Sequence, residues 1–452
     1  MKVNMKKVFL VLSLLMLTLL LNACGKSNKN STDAQSGEGA EAAQGTGEQT
    51  VIELWSYETP PHRVEAYETL VSAFEAENPD VKVDLKVVNL NEIFPKLLTA
   101  VQTGSEPDIM QCSADMTIMV RDLGVVQPMD DVVAKVKEEY GLYDASIKQY
   151  EYEGNIWAVP AFTQSMMLYY REDLLEAAGI EPPTTWDELL VAAEKLTTPD
   201  VFGIGIPTSK HRYADQVFYS FMTTSGSEVF GPTGEIALDS PATLETLEYY
   251  KKLAAYAPTD ASSWTWAESE QALAAGKVAM TVAFGNVLER VYNDAPDLVD
   301  KVKSVAIPVP QGGSPGTITY SVGFMSMAKD EAKLDASKRF IEFVHTPDIN
   351  AAWVNKMQAG CFLPCTEASA ATDTFKDNSI VQAFSDSIQN EIDASQSGKL
   401  YGFTSDPPVA ASGPMAGANT VSEMMQKVVV GQMDAKEAVA EADSAIREFM
   451  NE

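Results

Sequence analysis

Three groups of side chains in this 452-residue chain have the types needed for chemistry. Gly312, Gly313, Ser314, Pro315 and Gly316 spell G-x-S-x-G, the pattern that exposes a nucleophilic serine between a strand and a helix. Such a serine needs a following helix and a backbone N–H on the next residue to hold an oxyanion. Pro315 has no N–H, and the TITYSVGF that follows is strand-like, so the reading is rejected. Glycoside hydrolysis needs only two carboxyl groups at a suitable separation; the 64 acidic residues offer many pairs and single out none. The metal-binding types are thin: His62, His211 and His345 are scattered, and the C-x-x-x-C of Cys361 and Cys365 has no matching second pair. Neither a metal nor another cofactor is expected.

The amino terminus predicts where the protein works. Lys2, Lys6 and Lys7 precede an apolar run over residues 8–21, a secretory signal too short to span a membrane convincingly. Its end, Leu21-Asn22-Ala23-Cys24, resembles the lipobox of bacterial lipoproteins, although Asn22 departs from the usual small residue. The resemblance implies cleavage after residue 23 and lipid on the sulfur of Cys24, anchoring an exported protein to the outer face of the cell membrane. The alternative is a plain secreted protein with an incidental cysteine. Residues 24–50 carry almost no large apolar side chain and read as a flexible tether reaching about 25–30 Å. Cys112, Cys361 and Cys365 then remain, an odd number that cannot all pair within the chain. A Cys361–Cys365 bridge, a Cys112–Cys361 bridge and free half-buried thiols all stay open. Loss of residues 1–23, with three lysines and no acid, takes the formal charge from −31 to −34. A surface that acidic repels nucleic acid and excludes it as a partner.

The elements that must position a site are legible from periodicity. Val51, Ile52, Leu54 and Trp55 form a first strand. Pro60 and Pro61 introduce a helix with Val64, Tyr67, Leu70, Val71 and Phe74 on one face, and Asn78-Pro79 stops it. Val81, Val83, Leu85 and Val87 alternate with Lys82, Asp84 and Lys86, as in a strand with one wetter face. A helix over 93–102 and a short strand over 107–111 follow, and this strand-helix-strand order predicts a mainly parallel sheet. Within 154–173, Pro160 lacks a donor and restricts its neighbour, which predicts a break between two pieces of sheet where the chain changes lobe. Beyond it, Thr185 with Glu188 marks a capping box, Ser240-Pro241 a helix start, and Gly276 a helix end before a strand over 278–284. These form a second α/β unit with its own core. Strands over 302–309 and 317–328 and helices over 336–344, 348–357, 422–430 and 435–450 complete the chain, with Asp434 capping the last.

In order, GNIWAVP, LYYREDLLEAAGIEPPTTWDELLVAAEKL, QALAAGKVAM and GFMSMAKDEAKLDASKRFIEFVHTPDINAAWVNKMQAGCFLP resemble landmarks of the extracellular solute-binding proteins of ABC importers. The most similar branch includes the maltose and multiple-sugar binding proteins, and the resemblance covers nearly all of 51–452. It implies an α/β fold of two periplasmic-binding-protein-like lobes, each a mainly parallel sheet flanked by helices, joined by a hinge of crossing segments. The crossings it implies fall at 160–163, near Val309 and near Pro364. The amino-terminal lobe would then be 51–161 with 309–363, and the carboxyl-terminal lobe 162–308 with 364–452. The implied function is that of a monomer, not an enzyme, which closes on a small-molecule carbohydrate, an oligosaccharide, and delivers it to ABC transporter permease subunits. A receptor signalling to a membrane protein and a binder of another small solute are the alternatives.

A sugar offers apolar C–H faces ringed by hydroxyls, so its site needs aromatic platforms flanked by directional polar groups. On the implied fold, Tyr57, Glu58 and Arg63 follow the first strand, and Phe162 and Gln164 lie on the crossing. Asp115 matches a position where the maltose-binding relatives carry a sugar-binding aspartate; their neighbouring tryptophan is Cys112 here, which argues for a different sugar. Trp266, preferred to Trp264, precedes the GKVAM landmark, and Phe284 and Asn286 occupy a stretch where relatives have glycine near a tryptophan. Tyr320 completes the candidate set. Trp55, Trp157, Trp186 and Trp353 are assigned to packing.

Overall fold

The computed structural model describes residues 49–405 and 408–451. The signal segment, Cys24 and the tether to residue 48 lie outside the described residues. No helix among the described residues is long and apolar enough to cross a membrane.

The chain opens as the periodicity predicts, with β1 (Thr50–Ser56), a helix (Pro61–Glu77) and β2 (Val81–Val87). β1 and β2 run parallel, with Ile52 opposite Val83 and Leu54 opposite Leu85. The helix starts on Pro61, where a missing N–H costs nothing, and buries Ala66, Tyr67, Leu70, Val71 and Phe74. Phe74 meets Phe340 and Phe343 edge-on, with ring centres 5.2 and 5.5 Å apart, which ties this helix to Glu331–Val344.

β3 (Ile109–Ser113) adds parallel to β1. A small hairpin, β4 (Glu151–Tyr152) and β5 (Asn155–Ile156), precedes β6 (Val159–Ser165) and β7 (Met167–Arg171). β8 (Met280–Ala283), β9 (Val302–Val305), β10 (Thr319–Ser326) and β11 (Leu363–Pro364) follow. They assemble as one six-stranded sheet, β11-β6-β10-β3-β1-β2, and one three-stranded sheet, β8-β7-β9.

Three expectations change. Pro160 does not break the chain, because β6 runs through it and the sheet changes at Met166. Opposite Pro160, β10 slips register between Val322 and Gly323, and β11 reaches only Phe162 and Thr163, so no ladder bond asks for the missing donor. Gly323 permits the approach: a Cβ there would stand 2.1 Å from the Val159 carbonyl oxygen. Strand direction is the second change. The parallel arrangement holds among β1, β2 and β3, but β10 runs antiparallel to β3 and β6, and β8 and β9 run antiparallel to β7. Parallel pairing beside β8 survives only as bridges from Phe202 to Val278 and from Gly205 to Thr281. The crossover rule orients strands delivered by a local strand-helix-strand unit, whereas β7 arrives from the other sheet. Third, Cys112, Cys361 and Cys365 are free thiols and wholly buried rather than half-buried.

The caps follow the sequence. Thr185 Oγ1 accepts from the Glu188 N–H (3.2 Å) while Glu188 accepts from the Thr185 N–H (3.0 Å). Ser240 caps the helix Pro241–Ala254, and Asp434 accepts from the Lys436 N–H. The stretch after Ser314 leads into β10 rather than a helix, so G-x-S-x-G forms no nucleophile elbow.

Candidate ligand-binding cleft

Strand ends converge on one cleft of about 570 Å³. Tyr57 follows β1, Asn89 and Leu90 follow β2, and Phe284 follows β8, so the cleft lies at the carboxyl ends of strands, where open α/β sheets hold their ligands. The floor comes from β6, whose alternation puts Phe162 and Gln164 on one face. Phe362, just before β11, stacks on Phe162 with ring centres 4.3 Å apart.

One wall is a polar network centred on Glu58. Glu58 is 6 % exposed; its Oε1 accepts from Gln111 Nε2 (3.1 Å) and its Oε2 from Arg63 Nη1 (2.8 Å). Gln111 in turn accepts from Ser56 Oγ (2.8 Å) and the Tyr57 N–H (3.3 Å). Arg63 also donates to Gln358 (2.6 Å) and lies 4.6 Å over the Phe362 ring, so its plane and charge are both held. Burial, then the charge of Glu58, pushes the Tyr57 phenol up, which keeps it a neutral donor and acceptor.

The facing wall carries Trp266, whose indole N–H donates to Gln216 Oε1 (3.1 Å) and which His211 meets edge-on at 4.8 Å. Two partners thus fix an aromatic face against the cleft. Asn286 donates to Glu270, and burial pushes that carboxyl up to about 7, offset by Arg290 and by Asn286 itself. The Cys361 thiol points to Gln164 Oε1 (3.5 Å), and burial, with Glu391 nearby, keeps it protonated and unreactive.

Tyr57, Glu58, Arg63, Phe162, Gln164, Trp266, Phe284 and Asn286 therefore share one cleft. Asp115 and Tyr320 do not line it; they meet in an adjoining closed pocket with Arg212, Tyr401 and Phe403 that has no room for a water molecule. The two spaces abut where Phe284 and Tyr320 stand 6.3 Å apart. In the smaller one, Arg212 pairs with Asp115 (3.4 Å) and leans over the Tyr320 ring (5.9 Å). The hydroxyls of Tyr320 and Tyr401 are buried there without partners. Trp264 packs in the core, as do Trp186 and Trp353.

Gln216, Cys361, Phe362 and Arg212 were missed from the sequence. Gln216 and Arg212 sit on the helix Arg212–Ser225, which buries Tyr213 to Thr224 without a break and so lacks the polar stripe by which a helix is read. Phe362 reaches the cleft only because β11 pairs with β6.

The chain matches the family model of the bacterial extracellular solute-binding proteins over residues 60–351. YcjN of Escherichia coli K12, which bears the name of an ABC transporter periplasmic-binding protein, is 25 % identical over 452 residues, 99 % of each chain. Among solved structures, maltose-bound MalE3 of T. maritima superposes with a TM-score of 0.72 at 17 % identity, covering 88 % of this chain and 99 % of that one. The cyclic alpha-maltosyl-1,6-maltose binding protein of Arthrobacter globiformis gives 0.74 at 18 %, covering 89 % and 100 %. These superpositions show the two-lobed periplasmic-binding-protein fold, and the match over more than half of its length shows that the chain belongs to the bacterial extracellular solute-binding proteins.

Proposed function

We propose that this ABC transporter solute-binding protein captures a neutral carbohydrate, an oligosaccharide, between two lobes that close about a hinge, and releases it to membrane permease subunits. One observation carries the reading. The cleft combines the aromatic faces of Tyr57, Trp266, Phe284 and Phe362 with the amides of Gln164, Gln216 and Asn286, and its one cation among the described residues, Arg63, is already paired with Glu58. Stacking faces and neutral directional groups suit a polyhydroxylated ring, and a paired charge leaves nothing to recruit an ionic solute. The volume lies within the range of about 300–1,000 Å³ usual for small-molecule sites. A neighbour bound to maltose and one named for binding cyclic alpha-maltosyl-1,6-maltose support the same class.

The lobes of this reading are 51–161 with 309–363 and 162–308 with 364–452, the first crossing running on to Met166 as the sheets change there. The ligand set is the cleft residues with Asp115 and Tyr320, the latter two engaging once the smaller pocket opens. Lipid on Cys24 would hold the protein at the outer membrane face as a monomer. Calorimetry against mono- to pentasaccharides tests the ligand class: micromolar affinity, about −8 kcal/mol, is expected for at least one neutral oligosaccharide. Binding confined to a polyamine or an amino acid would sink it. Mass spectrometry of the membrane-extracted protein tests the anchor, with a diacylglyceryl mass on Cys24 as the expected result.

A further inference from the structure

A single residue, Met166, separates β6 of one sheet from β7 of the other. On one side it is held by the returning segment: its N–H donates to the Ile318 carbonyl (3.2 Å), and its carbonyl accepts from Thr317 Oγ1 (2.7 Å). On the other side one carboxyl spans it. Glu391, on the helix Ser385–Ser395, accepts from the Ser165 N–H through Oε1 (3.0 Å) and from the Tyr169 hydroxyl through Oε2 (3.3 Å). Ser165 ends β6 and Tyr169 lies in β7, so one side chain bonds to both sheets.

The surroundings are tight. A Cβ on Gly285 would stand 2.7 Å from Glu391 Oε2 and 1.9 Å from the Gly360 carbonyl oxygen. Gly285 precedes Asn286 and Gly360 precedes Cys361, so the carboxyl also abuts two segments that enter the cleft. Glu391 is 0 % exposed and, among the described residues, has no ion-pair partner. The ionisable groups facing it are few. β6 offers none, and the turn before β11 offers Cys361, held neutral by burial; β7 offers Tyr169, likewise neutral, and, two residues on along the same face, Arg171, which is paired with Asp173. In β9, Ser304 stands opposite Tyr169, while Lys303 stands opposite Tyr170 and so points to the other face. Asp386 and Asp393 on its own helix are exposed. Burial pushes the Glu391 carboxyl up to about 8, offset by the bonds from Ser165 and Tyr169.

We propose that Glu391 is a positioning residue for the hinge: its carboxyl, accepting from both strands, ties the end of β6 to β7 and holds the sheets in the arrangement that forms the cleft; ionised in a buried place with no cation to pair it, it draws in water and loosens the crossing despite those bonds. The inference goes beyond the reading of the cleft and needs no ligand, so it stands or falls separately from the identity of the solute.

Amide hydrogen exchange over residues 165–169 tests it, followed by mass spectrometry on the full-length protein from about pH 6 to about pH 10 and corrected for intrinsic rates. Wild-type protection is expected to fall at least about tenfold as the pH climbs to about 8 and to level off above it, and Glu391→Gln, which keeps the shape and an acceptor for Ser165, to stay flat. Tyr169→Phe removes a donor to the carboxylate and moves the levelling-off to higher pH. A flat wild-type profile overturns the proposal, as does a Glu391→Gln profile that follows wild type. If the glutamine variant does not fold, an unmoved levelling-off in Tyr169→Phe overturns it.

Discussion

The wall built on Glu58 and the small pocket built on Asp115 use the same chemistry and end in opposite conditions. Each sets a carboxylate against an arginine beside tyrosines. Around Glu58 the carboxylate oxygens and the Gln111 carbonyl are all taken, and the gaps are Arg63 Nε and the Tyr67 hydroxyl behind the wall. Around Asp115 the ion pair is long, and two tyrosine hydroxyls are buried unpartnered. Below them Asp215 has one oxygen bonded to the Ser422 N–H and the other to nothing. A satisfied network is rigid and ready before a ligand comes, whereas buried unpartnered groups each cost about 1–3 kcal/mol and favour any opening that supplies partners. Preorganisation on one side faces stored cost on the other.

Four experiments break or sharpen that contrast. The largest effect is expected from Glu58→Ala, which strands Arg63 and Gln111 and lowers unfolding free energy in urea by about 3 kcal/mol. A loss under about 1 kcal/mol would mean the wall is not a tight network. Next comes pH. The Asp215 carboxyl is raised from 3.8 to about 7 by burial, so the fold holds its proton more tightly than the unfolded chain does. Its stabilising contribution is complete below 3.8 and is lost as the pH climbs to about 7. Across that window wild type should lose on the order of 2 kcal/mol relative to Asp215→Asn, and parallel denaturation profiles would refute this. Third, Trp266→Ala should weaken the bound oligosaccharide by about 10- to 30-fold in calorimetry with no change in fold. An unchanged Kd would remove Trp266 from the site. The smallest effect has the most telling sign. Tyr401→Phe and Tyr320→Phe should leave the free protein unharmed or more stable by about 0.5–1 kcal/mol, since no bond is lost. Tyr150→Phe should cost about 1 kcal/mol, because that hydroxyl donates its one hydrogen to the Ser321 carbonyl (2.6 Å), with the Cys112 carbonyl as a weaker second acceptor (3.2 Å). Equal costs for all three would erase the distinction.

What could be read in the sequence was what local chemistry decides. β1, the helix after Pro61 and β2 follow from alternation, a helical stripe and an Asn-Pro stop, and Thr185 with Glu188 forms the capping box their spacing announces. Glu58 and Arg63 were within reach because they follow a legible strand. Pro160 misled because a proline speaks only for its own strand, whereas the slip that tolerates it is in β10, more than a hundred residues on. Gln216 stayed hidden for the same kind of reason: a helix buried on every side gives no periodic signal. The pairing of Asp115 with Arg212 joins residues 97 apart, which no spacing rule anticipates.

The position of β10 has a consequence for how the protein is made. It lies between β3 and β6, which precede it in sequence by roughly 200 and 150 residues and have no other way to join. As the chain emerges amino end first, the strands up to Ser165 can be complete while the six-stranded sheet is still two fragments with open edges. Only when Thr319 to Ser326 arrives are the fragments joined, with β11 still to add at the edge of β6, so the high contact order of one strand sets how long the nascent chain must be kept from pairing with its neighbours.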